Sequence, residues 1–573
     1  MSLNSSITLG VLLLAAIGFD LRTMPDGSLV GSAFGPHDTA PLVFTDVTRE
    51  AGLASFRNVQ GGLEKRHILE VMGGGAAFVD YNRDGNLDIV LIRGSTIDSY
   101  RAGGDPICVL YRGDGTGHFE DVTKDAGLNA RGWGMGIAVA DYDNDGWDDL
   151  FVTGYSRNFL FRNLGNGRFE DVSVAAGVSE TQWSLGAAFV DIDRDGDLDL
   201  YVTNYVDYPL DRLPQAGSCT YRGFPVFCGP RGLPGLRDAL YINDGKGRFR
   251  NVAVERDIDP EKLYGLGVVA ADYDNDGWPD IFVANDLTPN LLYRNLGNGT
   301  FEEVALTAGA ALSEDGIEEG SMGVDFGDYN NDGWLDLYYT NSSYQTNTLL
   351  LNNTDRSTFT NVTSAAGHGQ STYLAVGWGT AFVDLDNDGW EDLFVVNGHL
   401  YPEADRFAMG LKYKQPPLVF MNQLGRRFVE AAARFGLRQP DTSRGAAFGD
   451  YDGDGDLDVL INNLDGPPTL LRNDGGNRNH WLRIRCVGNR SNRSAVGTRL
   501  TLRAGGLQQT REVKAGASYL SHNDLTVHFG LGTNDHADWL DIRWPSGRTE
   551  RIENLKANQM LTVEEGRASA TQE

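Results

Sequence analysis

One nine-residue pattern, D-x-[DN]-x-D-G-x-x-D, occurs seven times in this chain and constrains its fold more than any other feature. The copies begin at Asp80, Asp141, Asp191, Asp272, Asp328, Asp384 and Asp450, and Asn replaces Asp only at Asn82 and Asn330. A glycine stands five residues upstream of every copy, at Gly75, Gly136, Gly186, Gly267, Gly323, Gly379 and Gly445. Between the copies runs a second recurrent segment of the type FEDVTKDAG, opened by Phe44, Phe119, Phe169, Phe249, Phe301, Phe359 and Phe428. Most of its copies follow a turn such as RNLGNG, so LYRN, turn and FEDV read as a hairpin. One repeat is therefore four short strands: GxAFxD, DLxVxN, LYRN and FxDV.

Four strands per repeat at a period of roughly 50 residues is the signature of a β-propeller. Seven units predict seven blades over residues 40–475. The chain enters with a lone FxDV strand at 44–47 and leaves the last unit without one, so the first strand is expected to complete the last blade and close the ring.

Within each copy, oxygen ligands fall at positions 1, 3, 5 and 9, with glycine at position 6 for the sharp turn. They are Asp80, Asn82, Asp84 and Asp88; Asp141, Asp143, Asp145 and Asp149; Asp191, Asp193, Asp195 and Asp199; Asp272, Asp274, Asp276 and Asp280; Asp328, Asn330, Asp332 and Asp336; Asp384, Asp386, Asp388 and Asp392; and Asp450, Asp452, Asp454 and Asp458. Crowded carboxylates repel unless a hard cation sits among them, and oxygen-only ligands suit Ca²⁺. Position 12 of the last copy is Ile461, so the bidentate Glu of an EF-hand is missing and the loop joins two strands instead. Up to seven structural Ca²⁺ are expected, weakest in the two loops that carry Asn. Cytosolic calcium is too scarce to fill such sites, which favours a secreted or extracytoplasmic setting.

Spacings between the two motifs show where the chain is enlarged: near 93–107, 204–238 and 398–416, and in the run from Phe44 to Asp80. All of these connections emerge on the face opposite the acidic loops, whose own face is expected to stay regular. Enlarged loops on a rigid scaffold are where binding usually resides. Candidate residues for that ligand face are His67, Glu70, Arg93, Trp133, Trp183, Asn204, Tyr264, Asn285, Asn341, Trp378, Asn397, His399 and Arg444. The asparagines end second strands, where they either cap a turn through side-chain hydrogen bonds or form a polar ring at the mouth. The aromatic residues read equally as rim or as packing between blades.

The formal charge of −30 argues against a nucleic-acid partner. The seven loops hold 26 ligand Asp, which is where most of the acidity belongs, and seven divalent ions would reduce the charge to about −16. Residues 7–19 are an apolar run too short to span a bilayer, consistent with a signal peptide or leader over 1–35, and no transmembrane domain is expected in the mature chain. Cys219 and Cys228 bracket a short loop and are placed to form a local disulfide, while Cys108 and Cys486 read as buried singles. The repeat stops after Asn473; residues 478–566 alternate apolar and polar as a second, small all-β module, and 567–573 read as a disordered tail.

The repeat GAAFGDYDGDGDLDVLI resembles FG-GAP/VCBS repeats, the calcium-loop blades also seen in integrin α-subunit propellers. The stretch NHWLRIRCVGNRSNRSAVGTRL, with HFGLG and WPSGRTERI after it, resembles the ASPIC/UnbV module. Repeats followed by that module are the order of the cartilage acidic protein family and its bacterial relatives, whose insert CTYRGFPVFCGPRGLPG is similar too. The resemblance implies a secreted calcium-binding scaffold that engages an extracellular protein or glycan. No GxSxG, HExxH, Walker loop or nucleophilic Cys/His pair is present, so no catalytic residue is assigned. The alternative is a small-molecule enzyme, a cyclase or lyase, using the propeller mouth as its pocket. That alternative requires His67, Glu70, Arg93, His399 and Arg444 to converge.

Overall fold

A computed structural model of the chain describes residues 42–406 and 410–567, together with the backbone strands Asp20–Thr23, Leu29–Ser32 and Ala570–Gln572. The apolar run at 7–19, read as a leader, lies outside the described residues. Seven four-stranded antiparallel sheets follow one another along the chain, each ordered in sequence from its first strand outward. Blade 1 comprises Ala76–Val79, Asp88–Ile92, Cys108–Gly113 and Phe119–Asp121. Blade 7 comprises Ser443–Gly449, Asp458–Asn463 and Thr469–Asp474, and its fourth strand is Val43–Asp46 from the start of the described chain. The first strands of successive blades pack side by side, and blade 7 returns to blade 1, so the ring is closed.

The upstream glycines are explained by this packing. A Cβ on Gly186 would lie 2.4 Å from the Leu266 carbonyl, and one on Gly323 would lie 2.0 Å from the Trp378 carbonyl. Each glycine lets the next blade's first strand approach, and the register of the first two strands shifts there in five of the blades.

The insertions gather on one face. The run before blade 1 forms the short helix Leu69–Met72, the blade 1 insert a helix Ile97–Arg101, and the blade 3 insert a hairpin of Cys219–Tyr221 with Phe224–Val226. Cys219 and Cys228 are disulfide-bonded across that hairpin, and Cys108 and Cys486 are buried and free. Arg101 donates to the Leu210 carbonyl at 2.6 Å, and Tyr221 packs against Tyr401 of the blade 6 insert with centroids 5.3 Å apart, so the inserts support one another over the mouth.

The C-terminal part forms two more four-stranded sheets around Leu482, Ile484, Phe529, Leu540 and Trp544. It sits on the face of the acidic loops. The loop face is regular, as expected, and it is also the docking surface of the second module. A segment of the module, residues 515–522, also enters the central channel. Phe189 N–H donates to the Ala515 carbonyl at 2.9 Å, Ser518 N–H to Val324 at 2.7 Å, and His522 N–H to Ala76 at 2.9 Å. Ile137 N–H donates to Leu520 at 3.0 Å, and Ser518 Oγ bridges Thr380 N–H and the Ala446 carbonyl, so six of the seven blades touch the segment. From the other end, Met72 offers its carbonyl to the Tyr519 hydroxyl at 2.8 Å. The channel is thus filled from both faces. The expected disordered tail is corrected in part, because Ala570–Gln572 pairs with the Gln559–Glu564 strand.

Candidate functional site

All seven acidic loops share one hydrogen-bond pattern at position 1, and six of them share a second at position 9. The position 1 carboxylate accepts the N–H groups of positions 5 and 6, as Asp141 does from Asp145 at 3.0 Å and Gly146 at 2.7 Å. Position 9 opens the second strand and reaches back across the blade: Asp149 accepts from Asn163 N–H at 2.7 Å and Tyr142 N–H at 3.2 Å. Position 4 is left-handed in every copy (Arg83, Asn144, Arg194, Asn275, Asn331, Asn387 and Gly453), as is the position 6 glycine.

In five loops three carboxylates present oxygens within 4.8 Å of one another: Asp141, Asp143 and Asp149; Asp191, Asp193 and Asp195; Asp272, Asp274 and Asp276; Asp384, Asp386 and Asp392; Asp450, Asp452 and Asp458. The two loops outside this set are those with Asn, whose amides donate to position 5, Asn82 to Asp84 at 2.8 Å and Asn330 to Asp332 at 2.9 Å. The donor set fits a hard cation. Asp386 Oδ1 and Asp452 Oδ1 at position 3, and Asp336 Oδ2 at position 9, are buried with no hydrogen-bond donor. Burial, and after it neighbouring carboxylates, push Asp141 and Asp191 up to about 7. A divalent ion would relieve that crowding.

Two sets of asparagines, whose roles the sequence reading missed, tie the loops together. The third-strand Asn of LYRN links its own loop to the preceding one: Asn295 donates to Pro279 and Ile192 carbonyls, Asn352 to Leu335 and Tyr273, and Asn473 to Leu457 and Leu385. The position 4 Asn reaches forward to the next loop's glycine carbonyl, Asn144 to Gly196 at 3.0 Å and Asn387 to Gly455 at 2.9 Å. Arg83 and Arg194 instead stack on Trp147 and Trp278 of the next loop. Glycine fills both positions at the junction of blades 7 and 1, Gly113 on the third strand and Gly453 in the loop, so that junction lacks both ties. The signal was present in the recurrence of Asn at fixed spacing, but a hairpin reading absorbed it.

The module meets these loops with basic side chains. Arg483 Nη1 lies 2.8 Å from Asp450 and its Nη2 3.0 Å from Asp524; Arg511 lies 2.9 Å from Glu391; Arg543 pairs with Asp272. Backbone contacts add to this, including Asp141 N–H to Ser494 Oγ at 2.9 Å.

The residues expected on the ligand face are mostly structural. Asn204, Asn285, Asn341 and Asn397 are buried and donate to the carbonyls of Arg237, Pro289, Thr346 and Pro416, which selects turn capping over a polar ring. Trp133 and Trp183 are buried in the central cluster, Tyr264 packs against it, and Trp378 donates to the Gly398 carbonyl at 2.7 Å. Glu70 accepts three backbone N–H groups, from Gly62, Arg66 and His67. Arg444 donates to the Val71, Gly398 and Ser443 carbonyls and stacks on Trp378 at 4.0 Å. His67 pairs with Tyr208 at 3.2 Å, and the Arg93 Nε is buried. Of the five residues the enzyme alternative needs, only His399 lines the cavity of this face, so they do not converge.

That cavity, 320 Å³ in volume, lies under the blade 3 hairpin and the blade 6 insert, beside the channel plug. Tyr221, Phe227 and Tyr401 form one wall, and Asp286, Met322 and Trp378 line the rest. Burial, then the charge of Arg444, hold the His399 imidazole down to about 4, so it is neutral at physiological pH.

Comparison with known proteins follows the same division. FG-GAP-like repeats match residues 80–152, 141–202, 232–283, 272–339 and 328–395, and ASPIC and UnbV matches 488–570. Cartilage acidic protein 1 of Xenopus tropicalis is 28% identical over 350 residues, covering 58% of this chain and 50% of that protein. The mouse protein is 26% identical over 337 residues, covering 57% and 49%. The chain therefore spans about half the length of the curated relatives it matches. Among solved structures, an Agrocybe aegerita lectin that recognises non-reducing terminal N-acetylglucosamine gives a TM-score of 0.36 at 16% identity, covering 65% of this chain and 91% of that one. The Dos1 propeller gives 0.34 at 9%, covering 72% and 95%. With its repeats, its appended module and these relatives, the chain belongs to the cartilage acidic protein 1-like family of FG-GAP-repeat propellers carrying an ASPIC and UnbV domain.

Proposed function

We propose that this protein is a secreted, calcium-stabilised scaffold that engages an extracellular protein or glycan through the face opposite the acidic loops. The observation that carries the reading is the convergence of three carboxylates in five loops, with buried position 3 oxygens that no donor satisfies. The ions are structural in this reading, because the loops are enclosed between blade ends and the docked module. They would neutralise charge that otherwise opposes both loop closure and module docking. The disulfide in the blade 3 insert suits an oxidising compartment. No helix among the described residues is long and apolar enough to cross a membrane. With the acidic face covered, the inserts of blades 1, 3 and 6 are the surface left for a partner.

Chelation tests the calcium part. EGTA should lower the melting temperature by many degrees, and restored calcium should return it, since each site held at ~100 times its Kd adds about 2.7 kcal/mol. Metal analysis after gel filtration should find at least the five all-Asp loops filled. An unchanged melt would remove the calcium reading. The partner face is tested separately, by a glycan array and by cross-linking to extracellular proteins, with the blade 3 hairpin deleted as the control.

A further inference from the structure

The cavity under the blade 3 hairpin combines two features that seldom coexist without a ligand. Its wall is aromatic and apolar, yet Asp286 places a carboxylate in it. Tyr205 donates its hydroxyl to Asp286 Oδ2 at 2.5 Å, which fixes the carboxylate in place. Asp286 lies deep among surrounding atoms while part of its surface stays open to the cavity. Among the described residues no ion pair involves it: Arg231, the cation nearest in effect, holds Glu318 at 3.4 Å. His399, also on the wall, is neutral and supplies no charge.

Arg444 already covers Trp378 at 4.0 Å, and Arg222 covers Tyr344 at 3.9 Å. Tyr221, Phe227 and Tyr401 form an aromatic wall with tilted rings, centroids 5.3 Å apart for Tyr221 and Tyr401 and 4.6 Å for Phe227 and Tyr401. A fixed carboxylate in an aromatic-walled cavity is an arrangement that binds organic cations, by charge-assisted hydrogen bonding and cation–π attraction. An anion would meet Asp286 as a like charge, and a neutral apolar molecule would leave the carboxylate desolvated without a partner.

We infer that this cavity is a binding site for an organic amine, an ammonium group carried on an apolar or aromatic body, with Asp286 as its counter-ion and Tyr221, Phe227 and Tyr401 as its walls. A volume of 320 Å³ suits a phenylalkylamine or an amine-bearing side chain of a larger partner. The inference rests on the reading of the insert face as the binding face and not on calcium.

The test is calorimetric titration of the full chain with 4-phenylbutylamine, 4-phenylbutan-1-ol and 4-phenylbutyrate. The amine should bind about tenfold or more tighter than the alcohol, the worth of one charge-assisted hydrogen bond, and the carboxylate weakest. Asp286→Asn should reduce the amine to the level of the alcohol. Ser342→Trp, which fills the cavity from its wall, should abolish binding of all three, with both variants checked for an unchanged melting temperature. Equal binding of amine and alcohol, no binding by any probe, or discrimination that survives Asp286→Asn overturns the inference. If the probes fail while the insert face still captures a glycan or protein, the amine site falls and the scaffold reading stands; the converse result reverses the two.

Discussion

Arg483 Nη1 of the C-terminal module lies 2.8 Å from Asp450 Oδ2, the first carboxylate of the seventh acidic loop. Both side chains are almost fully buried, and the same guanidinium reaches Asp524 at 3.0 Å. A loop that holds positive charge on one side can hold a cation within and still accept the module from above. Arg483→Ala would strand two buried carboxylates. We expect a loss of about 3 kcal/mol in urea unfolding, and a loss below ~0.5 kcal/mol would mean the module does not lean on this pair.

The channel plug makes a second expectation. Tyr519 is fully buried, donates to the Met72 carbonyl at 2.8 Å and meets Trp378 edge to face at 4.7 Å. Tyr519→Ala should cost about 3–5 kcal/mol. Because residues 515–522 bond to six blades, a chain ending before the module should expose the channel wall and bind a hydrophobic dye. Two independent unfolding transitions in the intact chain would contradict this coupling.

The junction of blades 7 and 1 offers a gain. Gly453 has φ of +74°, and a Cβ there meets nothing within 4 Å. Asn at the equivalent position elsewhere keeps a left-handed backbone and bonds to the next loop, as Asn331 does to Gly389 at 2.9 Å. Gly453→Asn should therefore stabilise by about 1 kcal/mol. Asn331→Gly should lose a similar amount, and Asn352→Ala, which frees two buried carbonyls, about 1–3 kcal/mol. Chemical denaturation of the three variants checks the order.

Glu319 supplies a pH signature. Its carboxyl is buried beside Tyr339 and Thr348 with no ion pair among the described residues, and burial pushes it up to about 7. An acid raised on folding favours the native state below its ordinary value of 4.5 and loses that support as pH climbs through 7. Glu319→Gln should therefore gain on the parent between pH 5 and pH 8, by at most about 3 kcal/mol. A gap independent of pH would rule out the shift.

Much of this architecture was legible in one dimension, because repetition multiplies weak signals. The spacing of Asp, Gly and Phe determined the strands, the blade count and the closing strand Val43–Asp46, and the short loop between Cys219 and Cys228 pointed to their disulfide. The same spacing located the carboxylates that now converge in five loops. Periodicity was blind to what breaks it. The module carries no repeat register, so nothing along the chain said that Arg483, Arg511 and Arg543 would face the acidic loops, or that residues 515–522 would fill the channel. Glu70 and Arg444 looked like binding groups in sequence, yet folding turned them onto backbone N–H and carbonyl groups that needed partners. The sequence by itself determined the repeat and its loop chemistry, since these depend on residues close in the chain. Only the tertiary structure decided which face is covered and that Asp286 faces a cavity with no ion pair among the described residues. Those outcomes depend on contacts between segments from about 30 to several hundred residues apart that share no repeat register, where spacing carries no information.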